Sequence, residues 1–555
     1  MPRRWSQLTR HIRGAVAPTV ALSLFALIGV GGIAFDYARI ASLDTELQNA
    51  ADQAALAAAA QLDGQTGACA RAAAAASSLL VNNTLFANEV GGALAITVDN
   101  EADCDATDKI RFYKDYDQVT DTPGDAATTD ADAKIVIVSV NSREAFFALT
   151  PIVAAFSSGS LQAEAVASLG TAICKVPPVM ICNPTEPEGN TNKDFPFDPT
   201  AFVGKGLKLV SVGNSNGAWA PGNFGYLDTG SSTSNPNVEL RQALGWSGSP
   251  GDCSPLSGVQ TRTGAGTSVT PALNTRFDIY EKVTGGATAD SCPGGGICPP
   301  SINSTKDVVR KNEPANDKQC APLKNNEWEL PDNQYLPTSP TADLPDTTVI
   351  DAMGHPRDKC HAVSSAGLCT PNAKIGDGNW DRNAYFRVNY GWTAAQWPGF
   401  INSGVSPIST STPTRYQVYR WEIANRDTNI GGRTILATAG RPYGSPPNAK
   451  TDFDQPKCSQ LQGYGSGIVP GGANVDRRRI SAAVLNCSAW NVHGGGGIVY
   501  PVVKWIEMFL VEPSYNRPRT DANDVYVEVI SETISGSGGD TAAQVVRRDV
   551  PFLIK

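Results

Sequence analysis

Near the start of the chain, a long apolar run continues into an alanine-rich segment with no proline or turn signal between them. Residues 14–35 are 22 positions without a charged side chain. As an α-helix this run is about 33 Å long, enough for the roughly 30 Å hydrocarbon core of a bilayer. Pro18 lies near the first turn, where a missing amide is tolerated. We therefore predict a transmembrane helix over residues 14–35.

The charges on either side of the span predict its orientation. Residues 1–13 contain four arginines and no acid, so they carry +4, and the other residues carry −13 of the total of −9. By the positive-inside rule, residues 1–13 are a cytoplasmic basic leader and the bulk of the chain lies outside the inner membrane. A cleaved secretory signal is the alternative, but its apolar region usually has about 7–15 residues and ends at a composition break.

The segment after the span keeps a helical period. Alanines and larger apolar residues recur at steps of three and four, which marks one face of a helix. These residues are Tyr37, Ile40, Leu43, Leu47, Ala50, Ala51, Ala54 and Ala58. Alanine has the highest helix propensity, so we expect a stiff rod that stops near Asp63-Gly64. Its shallow alanine face suits close packing against a second helix or a sheet.

The next hundred residues read as a small α+β unit. Helices are predicted at 69–83 and at 143–156, the latter bent or split by Pro151, and strands at 93–98, 110–113, 134–140 and 161–172. Residues 36–175 are then a long helix packed on a small sheet, which is pilin-like in outline.

The composition changes near residue 176. Only four of the 38 prolines precede it, and glycine is also dense after it, which predicts many loops and short strands. The candidate strands are 206–213, 275–283, 415–424, 478–487, 502–512, 525–534 and 546–555. We predict that residues 176–555 form one large periplasmic β-rich domain. The fold class of the whole chain is α+β.

Twelve cysteines follow the membrane segment, and none of them forms a C-x-x-C pair. An even number outside the membrane predicts disulfides in an oxidising compartment, whereas free or metal-binding thiols are the weaker alternative. The candidate disulfide cysteines are Cys69, Cys104, Cys174, Cys182, Cys253, Cys292, Cys298, Cys320, Cys360, Cys369, Cys458 and Cys487. The pairs 174/182, 292/298 and 360/369 are close enough in sequence to close small loops.

Two kinds of short motif suggest metal-binding sites, and each also has an interpretation that requires no metal. The acidic runs at 99–108 and 186–198 place oxygens at alternate positions, but 99–108 lacks the glycine and the closing glutamate of a calcium loop. His355, Cys360, His361 and Cys369 lie close enough in sequence for a zinc site. We favour solvated loops for the acidic runs and a Cys360–Cys369 disulfide for the second motif.

The chain contains no G-x-S-x-G, H-E-x-x-H or Walker A motif. The sequence contains the residue types of a catalytic triad, a serine, an aspartate and His493, but triads are recognised by geometry rather than by composition. We therefore predict no catalytic, cofactor-binding or metal-binding residues, no enzymatic activity and no small-molecule substrate. The acidic remainder offers no basic face for nucleic acid.

The first 65 residues resemble the N-terminal segment of TadG-like Flp (tight adherence) pilus-assembly proteins. The resemblance rests on the Arg-Gly before the span, on Asp36-Tyr37 after it, and on the rod "LQNAADQAALAAA", residues 47–59. More loosely, "NTRFDIY", "PGNFGYLD" and "DRRRISAAVLNC" look like stretches of the longer C-terminal regions of such proteins. The resemblance implies a Gram-negative envelope protein that works with a secretion and pilus apparatus, and it implies no catalytic residues.

Two departures from related families limit what the resemblance implies. Some TadG-like proteins carry a von Willebrand A domain with a D-x-S-x-S metal motif, which this chain lacks. Type IV prepilins place a glutamate five residues after the cleaved glycine, and counting from Gly14 that position is Thr19. Metal-dependent adhesion and processing as a major pilin are therefore not expected.

We expect a single-pass inner-membrane protein that assembles or anchors a Flp-type pilus, or that is a minor pilus subunit. Its partners would be the membrane and the other Tad/Flp proteins, contacted through the alanine-rich helix and the periplasmic head. The alternative is an adhesin or ligand-binding module at the pilus tip or cell surface. A membrane-tethered hydrolase is the least favoured of the three.

Overall fold

A computed structural model of the protein describes most of the chain, in two compact units. The described residues are 16–79, 104, 109–117, 120–147, 158–174, 179–211, 219–228, 236–245, 253–255, 258–262, 269–280, 298–311, 320–321, 323, 327–370, 373–445, 449–462, 464–471, 474–494, 498–521, 524–533 and 546–554. Unit 1 comprises Met1–Thr171 with Asp549–Lys555, and unit 2 comprises Ala172–Arg548. The predicted limits of the span and of the pilin-like region stay predictions.

Two helices form one side of unit 1. They are α1 (Val16–Ala59) and α2 (Ala68–Leu79). α1 runs for 44 residues without interruption, as the alanine content and the missing turn signals predict. It ends four residues before Asp63, and Gly64 and Gly67 then take positive φ angles in the turn to α2. The Asp130 carboxylate accepts the Gly67 and Cys69 amides at 2.8 and 3.0 Å and so holds the start of α2.

The strands of unit 1 form a sheet and two hairpins. They are β1 (Ile110–Tyr113), β2 (Tyr116–Asp117), β3 (Thr122–Pro123), β4 (Ile135–Ser139), β5 (Arg143–Phe146), β6 (Ser158–Leu161) and β7 (Glu164–Cys174). The sheet order is β1-β4-β7, with antiparallel pairing. The C-terminal strand β23 (Val546–Leu553) returns to pair with β7, and the Ile554 amide donates to the Val166 carbonyl at 2.7 Å.

The alternation of side chains along the sheet explains its packing. Phe112, Val136, Val138 and Ala165 join the core beneath α1, whereas Val166 belongs to a small cluster on the other face. This is the period of two expected of a strand with one face on a helix.

The helix predicted over residues 143–156 is wrong at its described residues, 143–147. Residues 143–146 form β5, which pairs with β6, instead of starting a helix over 143–156. The partner strand comes twelve residues after β5 ends, and a local periodicity does not report such a pairing. The rest of that predicted helix and the predicted strand at 93–98 lie outside the described residues.

The described residues of unit 2 form strands β8 to β22 and six α-helices. The strands are β8 (Val179–Cys182), β9 (Gly206–Ser211), β10 (Asn223–Tyr226), β11 (Cys253–Pro255), β12 (Gly258–Gln260), β13 (Val309–Lys311), β14 (Trp328–Glu329), β15 (Asn429–Ile430), β16 (Arg433–Thr434), β17 (Arg441–Tyr443), β18 (Lys450–Asp452), β19 (Arg479–Leu485), β20 (Val499–Pro501), β21 (Lys504–Leu510) and β22 (Val525–Glu532). The helices are α3 (Pro236–Gly245), α4 (Lys359–Ala362), α5 (Arg382–Tyr390), α6 (Trp397–Ile401), α7 (Arg415–Ala424) and α8 (Cys458–Gln462).

A closed six-stranded barrel organises unit 2. Its strands follow the order β10-β8-β19-β21-β22-β9, and β9 pairs in parallel with β10 to close it. On β21, Ile506 and Met508 join the main core of unit 2, whereas Trp505 and Phe509 join clusters on the other side of the strand. Both faces of the barrel wall are therefore covered by protein, and its strands read as nearly continuous apolar runs.

Smaller elements surround the barrel. A four-stranded sheet has the order β14-β13-β18-β17, and β12 pairs with β20 and β15 with β16. α5, α6 and α7 enclose an aromatic cluster that includes Trp380, Tyr385, Phe386, Trp392 and Trp421.

Two of the predicted strands of unit 2 are helical. Residues 415–424 form α7, which begins with a capping box in which the Thr414 side chain accepts the Gln417 amide and Gln417 reaches back to the Thr414 amide. That box was visible in the sequence as T-x-x-Q and outweighs the β-branched and aromatic content of the segment. Residues 270–277 form a 3₁₀-helix with Pro271 in its first turn, so the predicted strand at 275–283 is wrong at its described residues, 275–280. Residues 281–283 lie outside the described residues.

Candidate functional site

The first half of α1 carries the most extensive apolar surface of the described chain. Its large apolar side chains are mostly exposed: Val16, Val20, Leu22, Leu24, Phe25, Leu27, Ile28, Val30, Ile33, Phe35 and Tyr37. Gly29, Gly32 and Asp36 are buried on one side of the helix. By its length and apolarity, α1 is the one helix among the described residues able to cross a membrane. An apolar surface of this extent marks an interaction with lipid or protein.

The second half of α1 is buried within unit 1. Ala51, Ala54, Ala55 and Ala58 are fully buried among alanines of α2 and apolar residues of β1, β4 and β7. Small side chains let the helix backbones approach closely, as the shallow face predicts. The alanine face is therefore already covered by its own unit, which leaves the exposed half of α1 to meet other molecules.

Disulfides are present, as the cysteine count predicts. The structure joins Cys69 to Cys104, Cys182 to Cys487, Cys320 to Cys458 and Cys360 to Cys369. Cys298 is also disulfide-bonded, and the side chains of Cys174, Cys253 and Cys292 lie outside the described residues. The suggested short loop from Cys174 to Cys182 is wrong, because Cys182 on β8 is joined to Cys487, two residues after the end of β19. Those two strands are neighbours in the barrel.

Three of the candidate zinc ligands, Cys360, His361 and Cys369, lie together with their ligand atoms within 4.8 Å of one another. Cys360 and Cys369 are bonded to each other, so neither offers a thiolate. The ring of His361 contacts the Tyr526 hydroxyl at 2.8 Å and the Ala373 carbonyl at 2.9 Å. Burial lowers the pKa of His361 to about 4, so this imidazole is neutral at physiological pH. The disulfide interpretation favoured from the sequence fits this arrangement.

The remaining candidates from the sequence have structural partners. His493 Nδ1 lies 2.6 Å from the Asn491 carbonyl. In the run 186–198, the Glu186 carboxylate accepts the Ser488 and Ala489 amides at 3.0 and 2.9 Å. The Asp198 carboxylate accepts the Thr200 amide and so caps a short 3₁₀-helix, Pro199–Phe202. These carboxylates thus hold protein groups. The run 99–108 lies outside the described residues except for Cys104.

Unit 2 contains a buried charge network that no sequence pattern predicts. The Arg415 guanidinium donates to the carboxylates of Asp358 and Glu528, and all three side chains are buried. Burial alone would lower the pKa of Arg415, but the two carboxylates outweigh it and raise the pKa. These partners lie 57 and 113 residues from Arg415, so no local motif marks them.

A second buried group lies in the same region. The Glu422 carboxylate accepts hydrogen bonds from the Tyr385 and Tyr390 hydroxyls and from the Asn303 amide, at 2.7 to 2.9 Å. Burial nevertheless raises the pKa of Glu422 to about 7. The ring of His355 stacks on Tyr385 with centroids 4.7 Å apart, and burial lowers the pKa of this imidazole well below its usual range.

A pocket in the described part of unit 2 adjoins this region. Its empty volume is about 690 Å³, which includes the open solvent at its mouth. Its wall includes His355, His361 and three arginines: Arg357, Arg517 and Arg519. Its residues come from segments between positions 306 and 520, so no single stretch of sequence predicts it.

Comparison with known proteins supports the resemblance seen in the sequence. Residues 14–61 match the family model Tad, described as Flp pilus-assembly TadE/G-like. The match covers all of α1, both the exposed apolar half and the buried alanine half. No curated protein and no solved structure matches the chain. The resemblance of this segment to Tad proteins is confirmed, and it connects the chain with Flp pilus assembly.

Proposed function

We propose that the protein is a single-pass, non-enzymatic component of a Flp-type pilus apparatus that assembles or anchors the pilus at the inner membrane of a Gram-negative bacterium. The observation that carries this proposal is α1 itself. One uninterrupted helix presents an exposed apolar half and then enters the core of unit 1, and the family match covers this same segment. A minor pilus subunit is the finer variant of the same role.

The arrangement explains how such a component would work. The apolar half lies in the bilayer, the four arginines before it stay in the cytoplasm, and unit 2 lies in the periplasm with its disulfides. Because α1 continues from the membrane into the core of unit 1, that unit is fixed close to the membrane surface. Other Tad/Flp proteins would bind the exposed half of α1 within the membrane and the surface of the head.

Deletion of the gene followed by electron microscopy for pili tests the role directly. We expect loss or strong reduction of pili, restored by the wild-type gene on a plasmid. Normal piliation of the deletion strain would contradict the assembly role.

A charge in the apolar half tests the mechanism. Leu27→Arg places a cation among exposed apolar residues, which costs about 3 kcal/mol at the centre of a span. We expect less protein in the membrane fraction and fewer pili. Gln53→Arg is the matched control, because it adds the same charge at an exposed position on the rod. Equal membrane content for the two variants would argue against a membrane role for residues 16–37.

Orientation is tested with a periplasm-activated reporter. Alkaline phosphatase fused after Lys555 is expected to be active, and the same enzyme fused after residue 13 is expected to be inactive. The reverse pattern would place the head in the cytoplasm.

An adhesin or ligand-binding module at the pilus tip or cell surface is the alternative, and the pocket of unit 2 favours it. Its test is mechanical shearing of cells. Recovery of the full chain in the sheared pilus fraction supports the tip position and contradicts a permanent membrane anchor.

A further inference from the structure

The pocket of unit 2 has an unusual balance of charge for such an acidic protein. Its lining includes four cationic residues, Lys306, Arg357, Arg517 and Arg519, and two acids, Asp307 and Glu512. The lining thus carries an excess of positive charge, whereas the chain as a whole carries −9. A cationic concavity on an acidic protein raises the local concentration of anions.

Three of these four cations already have partners. Arg357 Nη2 and Arg517 Nη2 both contact the Glu512 carboxylate, at 2.5 and 2.6 Å, and Arg517 Nε lies 3.1 Å from Asp307. The Lys306 ammonium donates to the Ser304 carbonyl and lies 4.0 Å from the centre of the Trp328 ring. These ion pairs and hydrogen bonds occupy most of the polar groups of Lys306, Arg357 and Arg517.

Arg519 is different. Its Nη1 donates to two main-chain carbonyls, Pro337 at 2.5 Å and Ala362 at 2.9 Å, and the described residues place no carboxylate within ion-pair distance of it. The two carbonyls fix the position of the guanidinium without neutralising its charge. The remaining guanidinium N–H groups form a planar fork that suits a carboxylate.

The pocket also contains a polar group without a partner. His355 is fully buried, and neither of its ring nitrogens has a hydrogen-bond partner. The nearest carboxylate oxygen, Glu422 Oε2, lies 3.7 Å from Nε2, which is too long for a hydrogen bond. An imidazole that lacks hydrogen-bond partners in a buried position is costly to the folded protein.

The other lining residues are mostly of apolar type. They include Tyr335, Leu336, Met353, Pro513 and Pro518. Prolines restrict the backbone, so a ligand would find these surfaces already in place. Apolar walls around a few convergent polar groups are the usual composition of a small-molecule site.

We propose that this pocket binds a carboxylate attached to a small apolar body, with the anion at Arg519 and the apolar body against the tyrosine and proline walls. The carboxylate is that of a small organic acid or of a peptide C-terminus, and the chemistry of recognition is the same for both. This site is independent of the membrane helix and of its role in the pilus apparatus.

The test is calorimetric titration of the full-length protein in nanodiscs. Benzoate is the small-acid probe, with uncharged benzamide as its matched control. A hexapeptide ending in phenylalanine with a free carboxylate is the second probe, with the C-terminally amidated peptide as its control. We expect saturable binding of at least one acid and at least tenfold weaker binding of the matching amide, since charged hydrogen bonds are the stronger ones. The acid that binds identifies the source of the carboxylate.

Two pairs of variants locate the binding. Arg519→Gln removes the cation and is compared with Arg433→Gln, which removes an exposed arginine outside the pocket lining. Leu336→Glu adds an anion to the exposed part of the wall without removing any bond of Arg519. Its control is Val349→Glu, at an exposed residue that does not line the pocket. We expect both pocket variants to weaken acid binding about tenfold or more and both controls to bind as the wild type does.

The proposal is overturned if neither acid binds, if acid and amide bind equally, or if Leu336→Glu binds the acid as well as Val349→Glu does. Because Leu336→Glu leaves the contacts of Arg519 intact, the test does not depend on correct folding of the Arg519 variant.

Discussion

Arg415 is the residue through which unit 2 joins three distant segments. It is fully buried at the start of α7, and it donates to the Pro356 carbonyl at 2.6 Å as well as to Asp358 and Glu528. Asp358 in turn accepts the amides of Gly206 and Gly378 at 3.1 and 2.8 Å. One guanidinium thus connects α7, the turn before α4 and barrel strand β22. Removing one member of such a buried network leaves uncompensated charge.

We expect Arg415→Met to destabilise unit 2 by about 3–5 kcal/mol, because two carboxylates lose their cation in a dry environment. Nine of the ten tryptophans lie between residues 219 and 505, so tryptophan fluorescence during urea unfolding reports on this unit. Lys504→Met is the control. Its partner Glu532 is on the surface, and such pairs contribute about 1 kcal/mol or less. Equal losses in the two variants would mean that the Arg415 network does not stabilise the fold.

Glu422 predicts a dependence of stability on pH. Its pKa is raised from 4.5 to about 7 by burial, so the folded protein holds this proton more tightly than the unfolded chain does. The resulting stabilisation is complete below pH 4.5 and is lost as the pH rises to about 7.

In Glu422→Gln this loss should disappear. Relative to the variant, the wild type should lose up to about 3 kcal/mol of unfolding free energy between pH 4.5 and pH 8. The measurement is urea unfolding of both proteins at several pH values. Other buried acids, such as Asp278, affect both proteins alike, so the difference isolates Glu422. Parallel pH profiles would show that Glu422 keeps an ordinary pKa in the folded state.

At the scale of elements, α1 has two surfaces that differ in side-chain size and in exposure. Residues near its start are large, apolar and exposed, whereas those near its end are small and buried against α2 and the sheet. The boundary lies close to Asp36 and Tyr37, where the charge-free run ends. Side-chain volume therefore matters most in the second half, where the backbones lie close together.

Ala54→Leu tests that close packing. Ala54 is fully buried, and the added side chain would force α1 and α2 apart at a cost of about 1–3 kcal/mol. We expect faster amide hydrogen exchange over residues 43–79, measured by mass spectrometry. Gln53→Leu, one residue away and exposed, is the control and should exchange as the wild type does. Unchanged exchange in Ala54→Leu would show that the helices have room for a larger residue.

The sequence predicts an element correctly when the residues of that element alone determine its structure. The barrel strands β19, β21 and β22 were predicted from their own apolar runs, and α1 from its own composition. The residues of α7 have high β propensity and so predict a strand, although the T-x-x-Q cap before them favours a helix. Tertiary packing against the aromatic cluster overrides that propensity.

The two candidate sites also differ in whether a local stretch of sequence predicts them. The apolar surface of α1 lies in one continuous stretch and was predicted to cross the membrane, and it matches the Tad family model. The pocket could not be predicted, because Arg519 and His355 are 164 positions apart in sequence and come together only when the barrel and its surrounding loops fold. A buried imidazole without partners is also invisible to any sequence pattern, since it is defined by its surroundings.

For the whole molecule, the last prediction concerns how disulfides restrain unit 2. The Cys182–Cys487 bond closes a loop across 305 positions, whereas Cys360–Cys369 closes one of only nine. In the chain-entropy model the long loop contributes about 6 kcal/mol and the short one about 3 kcal/mol, because cross-linking restricts the unfolded chain more when the loop is long. Replacing each pair by serines and comparing urea unfolding by tryptophan fluorescence should show the larger loss for the 182/487 variant. A larger loss for the 360/369 variant would mean that local contacts of the α4 loop, rather than loop entropy, dominate the effect of these bonds.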